Sequence, residues 1–558
     1  MADGDSYGAV YTPRELSDFV SRLAVDEYRQ SGLPLENIVA MDPACGEGVL
    51  LCSLRNLLSD GKGTLYAGID IDARAIEANK KNMPSQAYTF IEQNTILPAA
   101  GKTAHAYWKS KFKCISIIIA NPPWSSEKIF DRNALDAAGY CFDTGQYDSY
   151  VLFLELCLKI VRKNGIVAFI VPDSLFSGEN GNLRKYLCEH TEIKVVARLG
   201  ERIFPNINRS TSVLILKKNK PSKTACTKCC RLDTDDRRRF INGELELLEA
   251  FQSKQHTILQ RRFLQNNNYV FDVDALQEEE ALLNKIEGNK LEWEHIFRFG
   301  RGVELSKSGD IVLCGQCGKA HGYTKRQVSG GRKICRYCGA DILFEEAGLD
   351  RIVSGDRLQG YMPMYVGENI KRYAFSGIKY IRPGVDGIRY KQDSLYTPPK
   401  LLIRKTGLGI YACIDYSGAY TSQTVYSCSL KGGASSVPLE YYLGVLNSRL
   451  LYYYYLKKYG ENEWKSHPYL TKEIIFSLPI RRACAENLSL CLEIARCAGR
   501  IQDGYTREGD IELEWLVMQL YGITETDLQH IRLALNRLPD LGAVNQMKLL
   551  DGELCFDI

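Results

Sequence analysis

The chain has 558 residues, more than one compact domain holds, and at roughly 150 residues per domain it points to about three units. Hydrophobic residues make up 45% of it. No apolar run approaches the ~18 residues of a membrane span, and residues 1–5 lack the basic and apolar regions of a signal peptide, so a cytoplasmic protein away from the membrane is expected. A net charge of +4 is too small to demand a nucleic-acid partner, and most of the 19 cysteines are scattered singly through apolar segments, as reduced core cysteines are.

In chain order, Arg14-Glu15-Leu16-Ser17-Asp18-Phe19-Val20 opens an amphipathic helix whose apolar spacing continues through Leu23 and Val25. Residues 37–41 read as a short strand, and Asp42-Pro43-Ala44-Cys45-Gly46-Glu47-Gly48 turns from it into a helix over 49–58. Gly46 and Gly48 let the backbone approach a ligand at the helix N-terminus. Cys45 sits in that turn with no histidine near it in sequence to activate it. A second strand, 65–72, ends in Asp70 and Asp72 about 25 residues after the glycines, the placement from which an acid binds both hydroxyls of a ribose. A helix over 73–82, a strand around 88–91 and the turn Gln93-Asn94 follow.

The next strand, Cys114 to Ala120, runs into Asn121-Pro122-Pro123-Trp124. In an open parallel sheet, ligands bind beyond the carboxyl ends of strands, which is where this tetrapeptide falls. The Asn121 side-chain oxygen and the Pro122 carbonyl can accept the two hydrogens of a planar amine, such as that of adenine, while Trp124 offers a flat face. Accepting both hydrogens frees the nitrogen lone pair to attack without an ionisable group. The alternative is an ordinary strand-ending turn, since Asn-Pro initiates turns.

Tyr147-Asp148-Ser149-Tyr150-Val151-Leu152-Phe153-Leu154-Glu155 opens a helix that ends at Lys163-Asn164-Gly165, before a strand over 166–171. Ile203-Phe204-Pro205, Asn208-Arg209-Ser210-Thr211 and a strand over 212–216 complete this region. From Lys194 to Arg239 there are thirteen Lys or Arg against four Asp or Glu, a stripe that suits either a phosphate backbone or a solvated linker face. Cys226, Cys229 and Cys230 lie in that stripe without a matched second pair, and a helix is expected over 242–251.

The order of these motifs over residues 7–218 resembles the class I methyltransferases that use S-adenosylmethionine, and specifically the gamma group of adenine-N6 DNA methyltransferases. The resemblance implies that Tyr11, Thr12 and Asp42 hold the methionine end of the cofactor and Asp70 its ribose. Ala44, Gly46 and Gly48 form the turn beside it, and Phe153 packs on its adenine. Asn94 stands where many relatives carry an acid for the cofactor's adenine amine; its oxygen can still accept. Asn121, Pro122 and Trp124 handle the target base, with Phe204 closing from the other side.

Farther on, Phe299-Gly300-Arg301-Gly302-Val303-Glu304-Leu305, Tyr420-Thr421-Ser422-Gln423, residues 443–450 and Pro479-Ile480 resemble the target-recognition domain of these enzymes. The run Tyr452 to Tyr455 is read as a helix packing into that domain, with base stacking the alternative. Cys314-Gly315-Gln316-Cys317 and Cys335-Arg336-Tyr337-Cys338 are two knuckles seventeen residues apart, the spacing of four thiolates around one structural zinc ion.

The expectation is thus an α/β protein: a Rossmann-like methyltransferase domain over 1–220, a basic linker and helical connection over 221–295, a mixed α/β recognition domain over 296–480 with a zinc ribbon at about 311–342, and a C-terminal helical segment over 481–558. Its expected activity is site-specific transfer of methyl to the N6 amine of a flipped-out adenine in double-stranded DNA, within a restriction-modification or similar defence system. The alternatives are methylation of RNA or of a protein glutamine through the same loop, and a non-catalytic zinc-containing DNA-binding protein. With the cofactor motifs starting at Tyr7, no cleavage domain of ~150 residues is expected upstream, and a restriction endonuclease partner would be a separate chain.

Overall fold

Strand and helix alternate through the first half of the chain: α1 (Arg14–Arg29), β1 (Val39–Asp42), α2 (Val49–Leu58), β2 (Leu65–Asp70), α3 (Ala73–Asn82), β3 (Tyr88–Glu92), α4 (Ala104–Lys111), β4 (Ile117–Ala120), α5 (Arg132–Ala138), α6 (Ser149–Ile160), β5 (Ile166–Pro172), α7 (Gly181–His190), β6 (Glu192–Gly200) and β7 (Thr211–Lys217). Such alternation produces a parallel sheet covered by helices on both faces. The structure, a computed structural model, describes residues 12–58, 62–98, 101–124, 131–142, 148–205, 209–323, 325–345, 347–460, 469–538, 541–550 and 552–554. It divides into two units, Met1–Glu278 with Lys457–Ser466 and Glu279–Leu456 with His467–Ile558.

In the first unit the sheet order is β3-β2-β1-β4-β5-β7-β6-β8-β9, where β8 is Cys226–Arg231 and β9 is His256–Leu259. β1 pairs in parallel with β2 on one side and β4 on the other. The chain order therefore reverses at β1 and β4, which opens a crevice beyond their carboxyl ends. All four residues of β4 and all seven of β5 are buried, so these strands read as continuous apolar runs without alternation. From α1, Leu16, Phe19, Val20 and Leu23 are buried in the same core, each worth about 1.5–3 kcal/mol on burial.

The expected linker over 221–295 is corrected here. β8 pairs in parallel with β6, β9 pairs antiparallel with β8, and the first unit continues to Glu278. Between them lie α8 (Thr234–Ile241) and α9 (Leu247–Lys254) in place of one helix over 242–251. The lysine-rich composition hides a strand because its cations are paired: Lys228 lies 2.7 Å from Glu27 and Arg231 2.5 Å from Asp274. Lys194, Arg198, Arg209 and Lys217 likewise sit within 4.0 Å of a carboxylate, so much of the basic stripe is neutralised within the unit. Cys229 and Cys230 are buried and neighbouring residues of a strand face opposite ways, so β8 assembles no thiolate group.

The second unit is mixed. Its strands are β10 (Phe297–Arg301), β11 (Asp310–Leu313), β12 (Ala320–Gly322), β13 (Arg332–Ile334), β14 (Asp341–Leu343), β15 (Leu349–Arg351), β16 (Val353–Ser354), β17 (Met362–Tyr365), β18 (Lys379–Ile381), β19 (Lys400–Arg404), β20 (Ala412–Asp415), β21 (Tyr420–Thr421) and β22 (Val425–Leu430). One sheet runs β10-β22-β19-β20 and another β16-β18-β17-β21. The motifs at 299–305 and 420–423 meet: Val303 N–H donates to the Thr421 carbonyl at 2.7 Å, and Gln423 N–H donates to the Val303 carbonyl at 2.8 Å. A Cβ on Gly302 would lie 2.0 Å from the Thr421 oxygen, so only glycine permits this approach.

Helices Leu488–Asp503, Arg507–Tyr521 and Glu525–Asn536 follow. Arg507–Tyr521 is fastened by a wholly buried ionic group, in which Arg372 and Arg449 each reach Asp510 at 2.7 Å and Glu514 at 3.3–3.4 Å. Removing one member of such a group strands the others and typically costs about 3–5 kcal/mol. Tyr452 to Tyr455 lie in the helix Arg449–Tyr459 and are buried, which leaves no face for stacking bases. Among the described residues no helix is long and apolar enough to cross a membrane.

Candidate active site

The turn after β1 is shaped by bonds to neighbouring carboxylates and strands. Asp42 Oδ1 accepts the Ala44 N–H at 3.0 Å, Cys45 N–H donates to the Ile69 carbonyl at 2.9 Å, and Gly46 N–H donates to Asp70 Oδ2 at 2.8 Å. Asp70 Oδ1 accepts the Asp72 N–H at 2.9 Å, which ties the ends of β1 and β2 together through one carboxylate. At Gly46, with φ +46°, an added Cβ would meet nothing within 4 Å, so the space over the turn is open to a ligand. Gly48, with φ +75°, is packed instead: a Cβ there would lie 2.5 Å from Met83 Cε.

Asp42 is 1% exposed. Burial pushes its carboxyl up to about 8, the Ala44 N–H opposes that shift, and the charge of Asp70 adds to it. Such an acid ionises readily once a cation arrives beside it. Burial, reinforced by Asp42 and Asp70, raises the Cys45 thiol far above its ordinary range, so Cys45 is an inert core group. Phe153 lies buried on α6. Tyr11 lies outside the described residues.

Asn94 does not stand free to accept an adenine amine. Its Oδ1 already accepts the N–H groups of Ile96 and Leu97, both at 3.0 Å, which uses both lone pairs of the carbonyl in a local turn.

The Asn-Pro-Pro-Trp loop begins directly after β4 and is held by side chains from three distant segments. Asn121 Nδ2 donates to Thr12 Oγ1 at 3.0 Å, and Ser149 Oγ, at the start of α6, donates to the Pro123 carbonyl. Arg209 Nη1 donates to the Trp124 carbonyl at 2.6 Å, and its guanidinium carbon lies 5.7 Å from the centre of the Trp124 ring. Asp148 Oδ2 holds Arg209 at 3.4 Å and accepts from Ser174 Oγ at 2.7 Å. Sequence reading placed Arg209 in a motif without giving it a role; its contact with Trp124 spans 85 residues and no local pattern announces it.

Trp124 and Phe204 come together, but not as opposed walls. Their ring centres are 5.4 Å apart with planes at 89°, an edge-to-face contact. A base stacked on both rings needs parallel planes about 7 Å apart, at roughly 3.5 Å per contact, so the expected slot is closed in this structure.

In the second unit, each cysteine knuckle lies between the strands of a hairpin, Cys314 and Cys317 between β11 and β12, Cys335 and Cys338 between β13 and β14. The two turns are alike: Gly318 N–H donates to the Cys314 carbonyl at 2.8 Å and Gly339 N–H to the Cys335 carbonyl at 2.9 Å. The four sulfurs lie within 4.8 Å of one another, and Cys314 to Cys338 and Cys317 to Cys335 are each 3.6 Å. Four thiolates about 2.3 Å from a central zinc would be separated by roughly 3.8 Å, so the sulfurs fit that ion. His321 Nε2 lies 3.2 Å from Cys335 Sγ, beside the cluster.

A family model described as N-6 DNA Methylase matches residues 1–282. The chain belongs to the N-6 DNA methylase family. A second model, the TaqI-like C-terminal specificity domain, matches residues 362–480 of this N-6 DNA methylase. The methylase subunit of the type I restriction enzyme MpnII from Mycoplasma pneumoniae is 25% identical over 236 residues, covering 39% of this chain and 42% of its own. The type II methyltransferase M.BanIII from Aneurinibacillus aneurinilyticus is 25% identical over 205 residues, 35% of each chain. The chain thus matches less than half the length of either relative. A nuclease-deletion mutant of the type ISP restriction-modification enzyme LlaGI, solved in complex with a DNA substrate mimic, shares the fold at a TM-score of 0.50 and 14% identity, over 88% of this chain and 55% of its own. Membership of the family supports S-adenosylmethionine as the cofactor.

Proposed function

We propose that this N-6 DNA methylase methylates the N6 amine of an adenine within a specific sequence of double-stranded DNA, as the modification component of a restriction-modification or similar defence system. The observation that carries the reading is the bond from Asn121 to Thr12, which couples the loop after β4 to the expected cofactor-binding segment.

S-adenosylmethionine supplies the methyl group from its sulfonium. Thr12 and Asp42 hold its methionine end, Asp70 its ribose, Phe153 its adenine, and the open turn at Ala44 and Gly46 admits it against the backbone. Thr12 fixes the Asn121 amide so that Oδ1 accepts one hydrogen of the target amine while the Pro122 carbonyl accepts the other. That leaves the lone pair aligned and the proton departs to solvent afterwards, so positioning supplies most of the catalysis. The target adenine leaves the duplex, and Trp124 and Phe204 separate from edge contact to receive it.

The first unit carries the chemistry; the region over 296–480 carries sequence recognition, braced by the helices over 481–558. Cys314, Cys317, Cys335 and Cys338 hold a structural zinc ion. The local core, Val312, Cys314, Cys335, Ile342 and Phe344, is too small to order two short hairpins without such a staple. An RNA or a protein glutamine as acceptor finds no support in the family match.

The test is expression in cells lacking adenine methylation, followed by single-molecule sequencing. N6-methyladenine confined to one short sequence is expected; unmodified adenine throughout, with label from radioactive cofactor entering RNA or protein, overturns the reading.

A further inference from the structure

β10 is the edge strand of its sheet, and two concave surfaces share its residues Phe299, Gly300 and Arg301. The first, of about 380 Å³, brings Arg301, Lys405 and Lys472 together against one carboxylate, Glu473, with Tyr426 and Tyr469 in its wall. The second, of about 660 Å³, holds Arg298, Arg301 and Lys391 against Glu304, with Gln392 and Ser394 beside them.

The cations here are not neutralised as those of β6 to β8 are. Among the described residues no carboxylate lies within ion-pair distance of Lys405, whose ammonium lies 5.8 Å from the centre of the Tyr469 ring. Arg301 shares Glu304 with Lys391, at 3.2 and 3.0 Å, and among the described residues the one carboxylate within ion-pair distance of Lys472 is the exposed Glu294, at 3.9 Å. Partial burial and the charge of Arg301 lower the pKa of Lys405, the sign of an ammonium lacking an anion. The floor is rigid, because Phe299 packs against Tyr426 at 5.0 Å and edge-to-face against Phe476 at 4.9 Å. Tyr469, 44% exposed, lines the first hollow beside the cations.

We propose that the cleft along β10 binds one nucleotide of the DNA outside the target base, its phosphodiester on Arg301, Lys405 and Lys472 and its base or sugar on the Tyr469 ring. Neighbouring basic hollows that share Arg301 suit successive phosphates of a polymer better than a single free anion, and Gln392 and Ser394 supply donors and acceptors that base edges can use. This inference rests on the reading of the protein as a DNA methyltransferase.

The experiment is fluorescence anisotropy of the full-length protein with duplex DNA bearing its methylation sequence, over a salt series. For Lys405→Gln and for Lys472→Gln, loss of one phosphate contact should lower the slope of log K against log salt by about 0.9, which is roughly eight-fold in affinity at 0.1 M salt. Tyr469→Leu should weaken binding about ten-fold with the slope unchanged. Cofactor affinity and melting temperature should stay at wild-type values, which shows the fold intact. Wild-type slope and affinity in the lysine variants overturn this inference alone. A wild-type protein without salt-dependent DNA affinity overturns the methyltransferase reading, and this inference with it.

Discussion

Replacing Arg209 with glutamine tests whether the loop after β4 is held in its reactive geometry from outside. The guanidinium makes a charged hydrogen bond of 2.6 Å to the Trp124 carbonyl and lies over the Trp124 ring. Hydrogen bonds to charged groups contribute about 1.5–3 kcal/mol. The Arg209 side chain is 41% exposed, so screening reduces this to about 1–2 kcal/mol. If that energy holds the loop in the conformation that accepts the target amine, kcat should fall about five- to thirty-fold, at roughly ten-fold per 1.4 kcal/mol. The KM for S-adenosylmethionine should not move, because Arg209 has no bond to the turns after β1 or β2. Arg209→Lys, which can keep either the Trp124 or the Asp148 contact but not both, should fall between the two. Steady-state kinetics with tritiated cofactor and duplex DNA reads all of this. A kcat within two-fold of wild type for Arg209→Gln would refute the clamp.

The other expectations follow from the cofactor turn and the cysteines. Asp70→Asn should weaken cofactor binding by ten-fold or more in isothermal titration, since it removes the charge that receives Gly46 N–H and that is proposed to bind the ribose; unchanged affinity places the ribose elsewhere. Asp42 gives a pH signature: its carboxyl stays protonated in the folded protein up to about 8 but ionises near 3.8 when unfolded, so free-protein stability falls as pH rises between these values. Binding of the cationic methionine end at pH 7 should then release close to one proton, read from titration in buffers of different ionisation enthalpy, and Asp42→Asn should abolish the release. Elemental analysis should find about one zinc per chain, and Cys335→Ser or chelation should loosen the second unit and weaken DNA binding while cofactor affinity holds. Normal DNA affinity in metal-free protein contradicts the structural role.

Where local chemistry decides, the sequence was a good guide. α2 and α3 occupy the residues expected of them, after the glycine turn and after the strand that ends in Asp70 and Asp72, and Asp70 ends β2 beside that turn. Legibility fails where distant groups decide. β8 looks like a basic linker until Glu27 and Asp274 are seen to neutralise it. The capping pair Asp233 and Asp236 starts α8 early and Gly243, at φ +73°, ends it ahead of α9, but a run of charges masks both signals. Asn94 was read as a ligand for the cofactor, yet a short polar side chain competes first for its own backbone. The 89° between Trp124 and Phe204 is a property of packing, which residue identity alone does not set.

The central claim is that Asn121 presents its amide oxygen to the amine of a flipped adenine. Its most direct measurement is the N6-methyladenine content of DNA incubated with S-adenosylmethionine and either the wild-type protein or Asn121→Ala, with cofactor affinity measured in parallel. Methylation by the wild type at one sequence, none by Asn121→Ala, and cofactor affinities that agree within a few-fold are predicted. Full methylation by Asn121→Ala would contradict the account.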